Sequence, residues 1–198
     1  MRPPDRPPPP LAPPGTAGPA GTEAAPGPPP SVPPAASGAR LLWWLIAGVI
    51  AADQATKVLL RSAVPLYDHR TLVPGLVDLV HVRNEGIAFG LLNSADFEYK
   101  WLVTTTLAAV ALGAIAFYAR HLRPEERLAR IGLSLILGGA LGNLIDRVHA
   151  GYVVDFVDVY WGTWHFWAFN VADMAINVGA ALVFLELLFV RRHASHSV

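Results

Sequence analysis

The chain has 198 residues, 53% of them hydrophobic and 15% charged, and its 15 basic residues are balanced by 15 acidic ones. Zero net charge argues against a protein that binds nucleic acid through a basic surface. With no cysteine, disulfides, thiolate nucleophiles, iron–sulfur clusters and cysteine zinc sites are excluded, so any chemistry rests on oxygen and nitrogen.

Residues 1–39 are Pro, Ala and Gly with a few charges, and they hold most of the 18 prolines. Almost nothing there can be buried to offset the entropy of ordering, which predicts a disordered tail. The run Pro7 to Pro10 and the later prolines replace the apolar core that a secretory signal needs. The tail reads as a low-complexity extension, with a proline-rich docking segment as the alternative.

Four apolar stretches follow, at 41–60, 101–119, 131–148 and 170–190, each near the ~20 residues that a helix needs to cross a bilayer core. The expected fold is an all-α integral membrane protein: a four-helix membrane domain over 40–192 and a C-terminal tail over 193–198. Arg40 precedes span 1; Arg120, Arg123, Arg127 and Arg130 crowd the connection between spans 2 and 3; Arg191, Arg192 and His193 follow span 4. Basic residues collect on the cytoplasmic side, so both termini are expected there.

The outward segments, about 61–100 and 149–169, are rich in aromatics. Trp101, Tyr152, Tyr160, Trp161, Trp164, Trp167 and Phe169 suit the outer interface, and Trp43 and Trp44 the inner one. Leu76 to Arg83 is β-branched and partly alternating, and it runs into the turn-like Asn84-Glu85-Gly86. A small β element and a short helix are expected on the outer face.

Ionisable groups inside a spanning helix are costly unless paired or facing a cavity. Asp53 and Lys57 in span 1 stand at i,i+4 and can pair, which favours a register-fixing role over direct catalysis. At 1.5 Å per residue Asp53 lies roughly 20 Å beyond Arg40, in the outer part of the membrane. In span 3, Gly138 and Gly142 form a small-residue pair that span 4 matches with Ala175 and Gly179, so these helices are expected to touch there. Asn143, Asp146 and Arg147 then form a polar stripe, and an interhelical hydrogen-bond network is the preferred role for Asp146. Asn170 is a plausible N-cap of span 4 and shares a face with Asp173 and Asn177.

Asp173 alone would read as a carboxylate favoured by the helix dipole. Asp155, however, sits in the apolar segment just outside span 3, where packing can bring it towards the start of span 4. Two carboxylates in a semi-dry site cannot both ionise cheaply, so such a pair holds one proton near neutral pH. One member can then activate water while the other donates to a carbonyl oxygen, as in aspartic proteases. Helix-end carboxylates are common, and from the residues alone the pairing competes with a purely structural role.

The ordered set Asp53-Gln54-x-x-Lys57, Asn84-x-Gly86-x-x-Phe89, Gly142-Asn143-Leu144-Ile145-Asp146-Arg147, Val153-Val154-Asp155-Phe156 and Phe169-Asn170-Val171-Ala172-Asp173 resembles the lipoprotein signal peptidases, the type II signal peptidases of bacteria. Any one motif is weak; five in order over about 41–190 are a strong signal. The resemblance implies a multi-pass aspartic endopeptidase of the bacterial cytoplasmic (inner) membrane, with its active site towards the outer face. It would act on diacylglyceryl-modified prolipoproteins, cutting just before the lipidated cysteine, among membrane lipids and without metal or organic cofactor. By the same resemblance Asp155 and Asp173 are the catalytic dyad. Asn84, Gly86, Asn143, Arg147 and Asn170 bind substrate or support the dyad, and Asp53, Lys57 and Asp146 are structural polar residues. Ile87, Gly90 and Met174 depart from the residues usual in the family. A monomer is expected.

Two other classes compete. Asp53, Lys57, Asp146 and Arg147 inside spans could serve a proton- or ion-coupled transporter, although no internal repeat is visible. A membrane scaffold recruiting a partner through the proline-rich tail ranks last. Metal hydrolysis has little support, since the seven histidines include no H-E-x-x-H motif.

Overall fold

The structure is a computed structural model; it describes residues 36–86 and 97–194, with side chains over 40–86 and 97–188. The proline-rich segment up to residue 35, and Ile87, Phe89 and Gly90, lie outside the described residues, as do the side chains of Arg191, Arg192 and His193. Four helices are long and apolar enough to span a membrane: α1 (Ala36–Ala63), α2 (Lys100–Ala119), α3 (Arg127–Ala150) and α4 (Val171–Ala194). The first turn of α1 reaches back into the stretch read as tail.

A four-stranded antiparallel sheet joins one end of this bundle. Its strands are β1 (His69–Val73), β2 (Val77–Asn84), β3 (Val153–Trp161) and β4 (Trp164–His165), in that spatial order. The hairpin β1–β2 follows α1, and β3–β4 links α3 to α4, so β2 and β3 pair two segments distant in sequence. The expected β element is present and larger than the single strand read from residues 76–83. A short outer helix has no counterpart among the described residues.

β2 and β3 pair with Asn84 opposite Val153 and Val82 opposite Asp155. Leu79 lies opposite Val157, so β2 carries an extra residue between Leu79 and Val82. Such a bulge bends the strand and re-aims its side chains. The sheet is fastened to the bundle by an apolar cluster of Leu60 from α1 and Val64 just after it with Val154 and Phe156 from β3. His81, at the bulge, is buried, with its Nδ1 2.9 Å from the Val64 carbonyl oxygen.

α3 is the most enclosed helix and α2 the least. Glycines set how closely its neighbours approach, and here the sequence expectation needs correcting. A Cβ at Gly138 would meet Val49 of α1 at 2.9 Å, and one at Gly142 would lie 2.7 Å from Asp53 Oδ2, so both glycines face α1 and not α4. The α3–α4 approach runs instead through Gly132 against Gly179 and Gly139 against the Ala172 carbonyl. Four small residues in one helix serve two neighbours, and spacing alone does not say which serves which.

α3 ends at Gly151, whose φ of 78° is the left-handed conformation that glycine adopts freely, with its N–H donating to the Arg147 carbonyl. The chain reverses there into β3. At the other end of α3, Glu186 of α4 accepts from the backbone N–H of Leu128 at 2.9 Å, occupying a donor that the helix leaves unpaired.

Candidate active site

Asp155 and Asp173 reach one place by different routes. Asp155 stands in β3 opposite Val82, and Asp173 in the first turn of α4. The two elements are stitched together at Phe169, whose carbonyl accepts from Phe156 N and Val157 N, while its own N–H donates to the Val157 carbonyl. The next residue, Asn170, is therefore held beside β3 just as the helix begins.

Asn170 is fully buried and bonded on every side. Its side-chain oxygen accepts from Asp173 N at 2.9 Å, while its own N–H donates to Asp173 Oδ2 at 3.2 Å, a reciprocal cap. Its Nδ2 donates to Asp155 Oδ1 at 2.7 Å. A single asparagine thus contacts both carboxylates. Asn143 of α3 donates to Asp173 Oδ1 at 2.9 Å, and Asn84, at the end of β2, donates to Asp155 Oδ2 at 3.0 Å. Each aspartate accepts two N–H bonds, one at each oxygen.

Burial favours the neutral form of Asp155, and the charge of Asp173 adds to this. The hydrogen bonds from Asn84 and Asn170 and the charge of Lys57 oppose them, leaving the carboxyl raised to about 7. Asp155 therefore retains a proton into the neutral range.

Arg147 is buried one helical turn beyond Asn143. Its Nη2 donates to the Gly86 carbonyl at 2.8 Å, and Gly86 N donates to Asn84 Oδ1 at 3.0 Å, so Arg147 holds the turn that orients Asn84. Its Nε has no hydrogen-bond partner among the described residues. A cavity of about 510 Å³ lies on this side, lined by Arg147, Trp101, Gly151 and Tyr152 among others, and neither aspartate lines it.

The span-1 pair lies beneath. Lys57 Nζ is 2.8 Å from Asp53 Oδ2 and 2.8 Å from Asp146 Oδ2, and it donates to Asn143 Oδ1 at 3.0 Å. The second oxygen of Asp53 accepts from Ala172 N at 3.0 Å. Asp146 thus belongs to an interhelical network, as its position in span 3 suggested. Gln54, present in the first motif but given no role there, donates to Asp53 Oδ2, Asp146 Oδ1 and the Gly142 carbonyl, all at 3.2 Å. An uncharged polar residue inside a span was the available signal. Asn177 is exposed and stands apart from this constellation.

The model of signal peptidase II matches residues 45–189. The chain belongs to the signal peptidase II family. It is 48% identical over 146 residues to a lipoprotein signal peptidase of Geobacter metallireducens, covering 74% of this chain and 89% of that one. It is 47% identical over 144 residues to the lipoprotein signal peptidase of Geobacter sulfurreducens, covering 73% and 89%. Among solved structures it resembles a bacterial membrane enzyme determined by the in meso method at 2.3 Å resolution, with a TM-score of 0.68 and 27% identity over 80% of this chain and 92% of that one. The family makes this peptidase an aspartic-type membrane enzyme of lipoprotein processing.

Proposed function

We propose that the peptidase cuts diacylglyceryl-modified prolipoproteins on the N-terminal side of the lipidated cysteine, with Asp155 and Asp173 as its catalytic dyad. The observation that carries this reading is the pair of carboxylates sharing Asn170, with Asp155 raised to about 7 by burial and by its partner. In the ground state Asp155 keeps the shared proton. Asp173 takes a proton from a water molecule as that water attacks the scissile carbonyl, and Asp155 donates to the carbonyl oxygen as charge develops on it. Return of a proton to the leaving amine completes cleavage. Asn84, Asn143 and Asn170 fix the carboxylates, and Arg147 Nε is an unspent donor for the substrate backbone.

Of the ionisable residues that motivated a transporter reading, Lys57 pairs with Asp53 and Asp146, and Arg147 holds the Gly86 carbonyl through Nη2 while its Nε has no partner among the described residues. The site sits at the sheet end of the bundle, and Arg40, Arg120, Arg123, Arg127 and Arg130 belong to the other end. That asymmetry supports an inner-membrane orientation with the sheet and dyad on the outer face.

The test is cleavage of a diacylglyceryl-modified precursor and its unmodified counterpart by the purified wild type, Asp155→Asn and Asp173→Asn. The wild type is expected to cut only the first, and both variants to be folded and inert. Full cleavage by either variant overturns the dyad.

A further inference from the structure

Lys57 touches neither aspartate of the proposed dyad, yet it is fully buried with its ammonium against three oxygens, donating to Asp53 Oδ2 at 2.8 Å and to Asn143 Oδ1 at 3.0 Å and ion-paired with Asp146 Oδ2 at 2.8 Å. Two of those oxygens are carboxylates. The third belongs to the neutral carboxamide of Asn143. A carboxamide has an accepting end and a donating end, and turning it over exchanges them. With the ammonium against it, Asn143 can present only Oδ1 to Lys57, since the flipped group would set an NH2 against an NH3⁺. Nδ2 is thereby aimed at Asp173 Oδ1, 2.9 Å away. The same Oδ1 also accepts from Asn170 Nδ2 at 3.2 Å, which places that amide's donors on the dyad side.

We infer that Lys57 is a positioning residue for the peptidase reaction, a buried cation that locks the Asn143 carboxamide in the one orientation that donates to Asp173. This rests on the dyad reading above. The arrangement goes beyond an ion pair. Asp53 alone could neutralise Lys57; what the contact with Asn143 adds is the orientation of a carboxamide whose other end meets Asp173. Asp53 extends the device: its second oxygen holds Ala172 N, the backbone donor immediately before Asp173, so the pair fixes both the helix start and the amide facing it. The carboxyl groups that feel Lys57 are Asp53 of α1 and Asp146 of α3 in contact, and Asp155 of β3 and Asp173 of α4 beyond them, while Arg61 of α1 lies 3.8 Å from Asp146 on its other oxygen and Arg147 of α3 interacts with Asp146, Asp155 and Asp173.

Lys57→Met alone leaves two buried carboxylates without their cation, so the test uses Lys57→Met/Asp146→Asn and compares it with Asp146→Asn. For a displaced positioning group the expected loss in kcat is roughly a hundredfold, with KM within about twofold. The alkaline limb of the pH profile moves up, because the dyad has lost a neighbouring cation. In an Asn143→Ser background, removing Lys57 costs less than about threefold more, because residues acting through one another are non-additive. If the double variant does not fold, Lys57→Gln is read against the same limits. A folded variant with the kcat of Asp146→Asn, or a full additive loss in the Asn143→Ser background, overturns the inference. Asp155→Asn and Asp173→Asn are run alongside. If both are inert while the Lys57 variant is fully active, this inference alone fails; if either cleaves normally, the dyad reading fails and takes this with it.

Discussion

Replacing Asn170 by alanine tests the centre of the site, because that side chain caps α4 and donates to Asp155 at once. Losing the cap costs about 1 kcal/mol. Losing a hydrogen bond to an ionised carboxylate costs about 1.5–3 kcal/mol, against about 1 kcal/mol for a neutral acceptor. Asp155 changes between those two states near pH 7, so the deficit depends on pH. The Asn170 bond favours the ionised form; without it the carboxyl of the variant titrates above 7. Between those two values the folded variant keeps a proton that the folded wild type has released, and its stability falls relative to wild type as pH rises. Thermal unfolding in detergent at pH 5.5 and 8.5 should show a larger deficit at the higher pH, by roughly 1 kcal/mol. Asn170→Ser separates the two roles. Serine can still accept from Asp173 N, but its short side chain does not carry a donor to Asp155. It should recover most of the capping loss while kcat stays as low as in the alanine variant, roughly a hundredfold down. An equal deficit at both pH values, or wild-type turnover by the serine variant, would refute the reasoning.

The pH profile of kcat/KM should fall on its alkaline side around 7, where the dyad loses its shared proton. Because the Asp155 carboxyl is raised from 3.8 to about 7, folding stability drains away as pH climbs between those values, by up to roughly 4 kcal/mol. Asp155→Asn should accordingly be inert yet more stable than wild type at pH 8, measurable by thermal unfolding; a variant no more stable there contradicts the titration. Gly139→Ala puts a methyl onto the Ala172 carbonyl, should cost about 1–3 kcal/mol and should move Asp173, so kcat falls with stability; Gly48→Ala, which meets no atom within 4 Å, is the comparison. Glu186→Ala frees the Leu128 N–H at the far end of α3, costs about 1–2 kcal/mol, and should leave turnover per folded molecule unchanged.

Much of this was legible in the sequence because membrane physics leaves few solutions. The spans followed from apolar length, and the Asp53–Lys57 pair from i,i+4 geometry on a helix that tolerates no lone charge. Asn170 as a cap followed from its place before an apolar run. The strand around Asp155 was less visible: Val153 to Tyr160 is apolar with aspartates three apart and shows no two-residue alternation, so only pairing with β2 makes it a strand. Gln54 was quoted in a motif without a role and Glu186 was not named, because the bonds to Asp146 and to Leu128 join residues far apart in sequence. The glycine faces of α3 were misassigned because Gly138, Gly139 and Gly142 crowd one stretch of helix, and only the neighbours' positions distinguish them.

The pairing within α1 also bears on how the chain is made. Synthesis runs from the N-terminus, so α1 enters lipid before Asn143, 86 residues downstream, exists. A separated aspartate and lysine would each oppose insertion, by up to about 2.5–3.5 kcal/mol, the figure for the helix centre. Held 2.8 Å apart on a single helix face, they travel as a neutral dipole that needs no other segment for partial relief. The third helix then meets a polar face that α1 already carries, and its Asp146 finds Lys57 there.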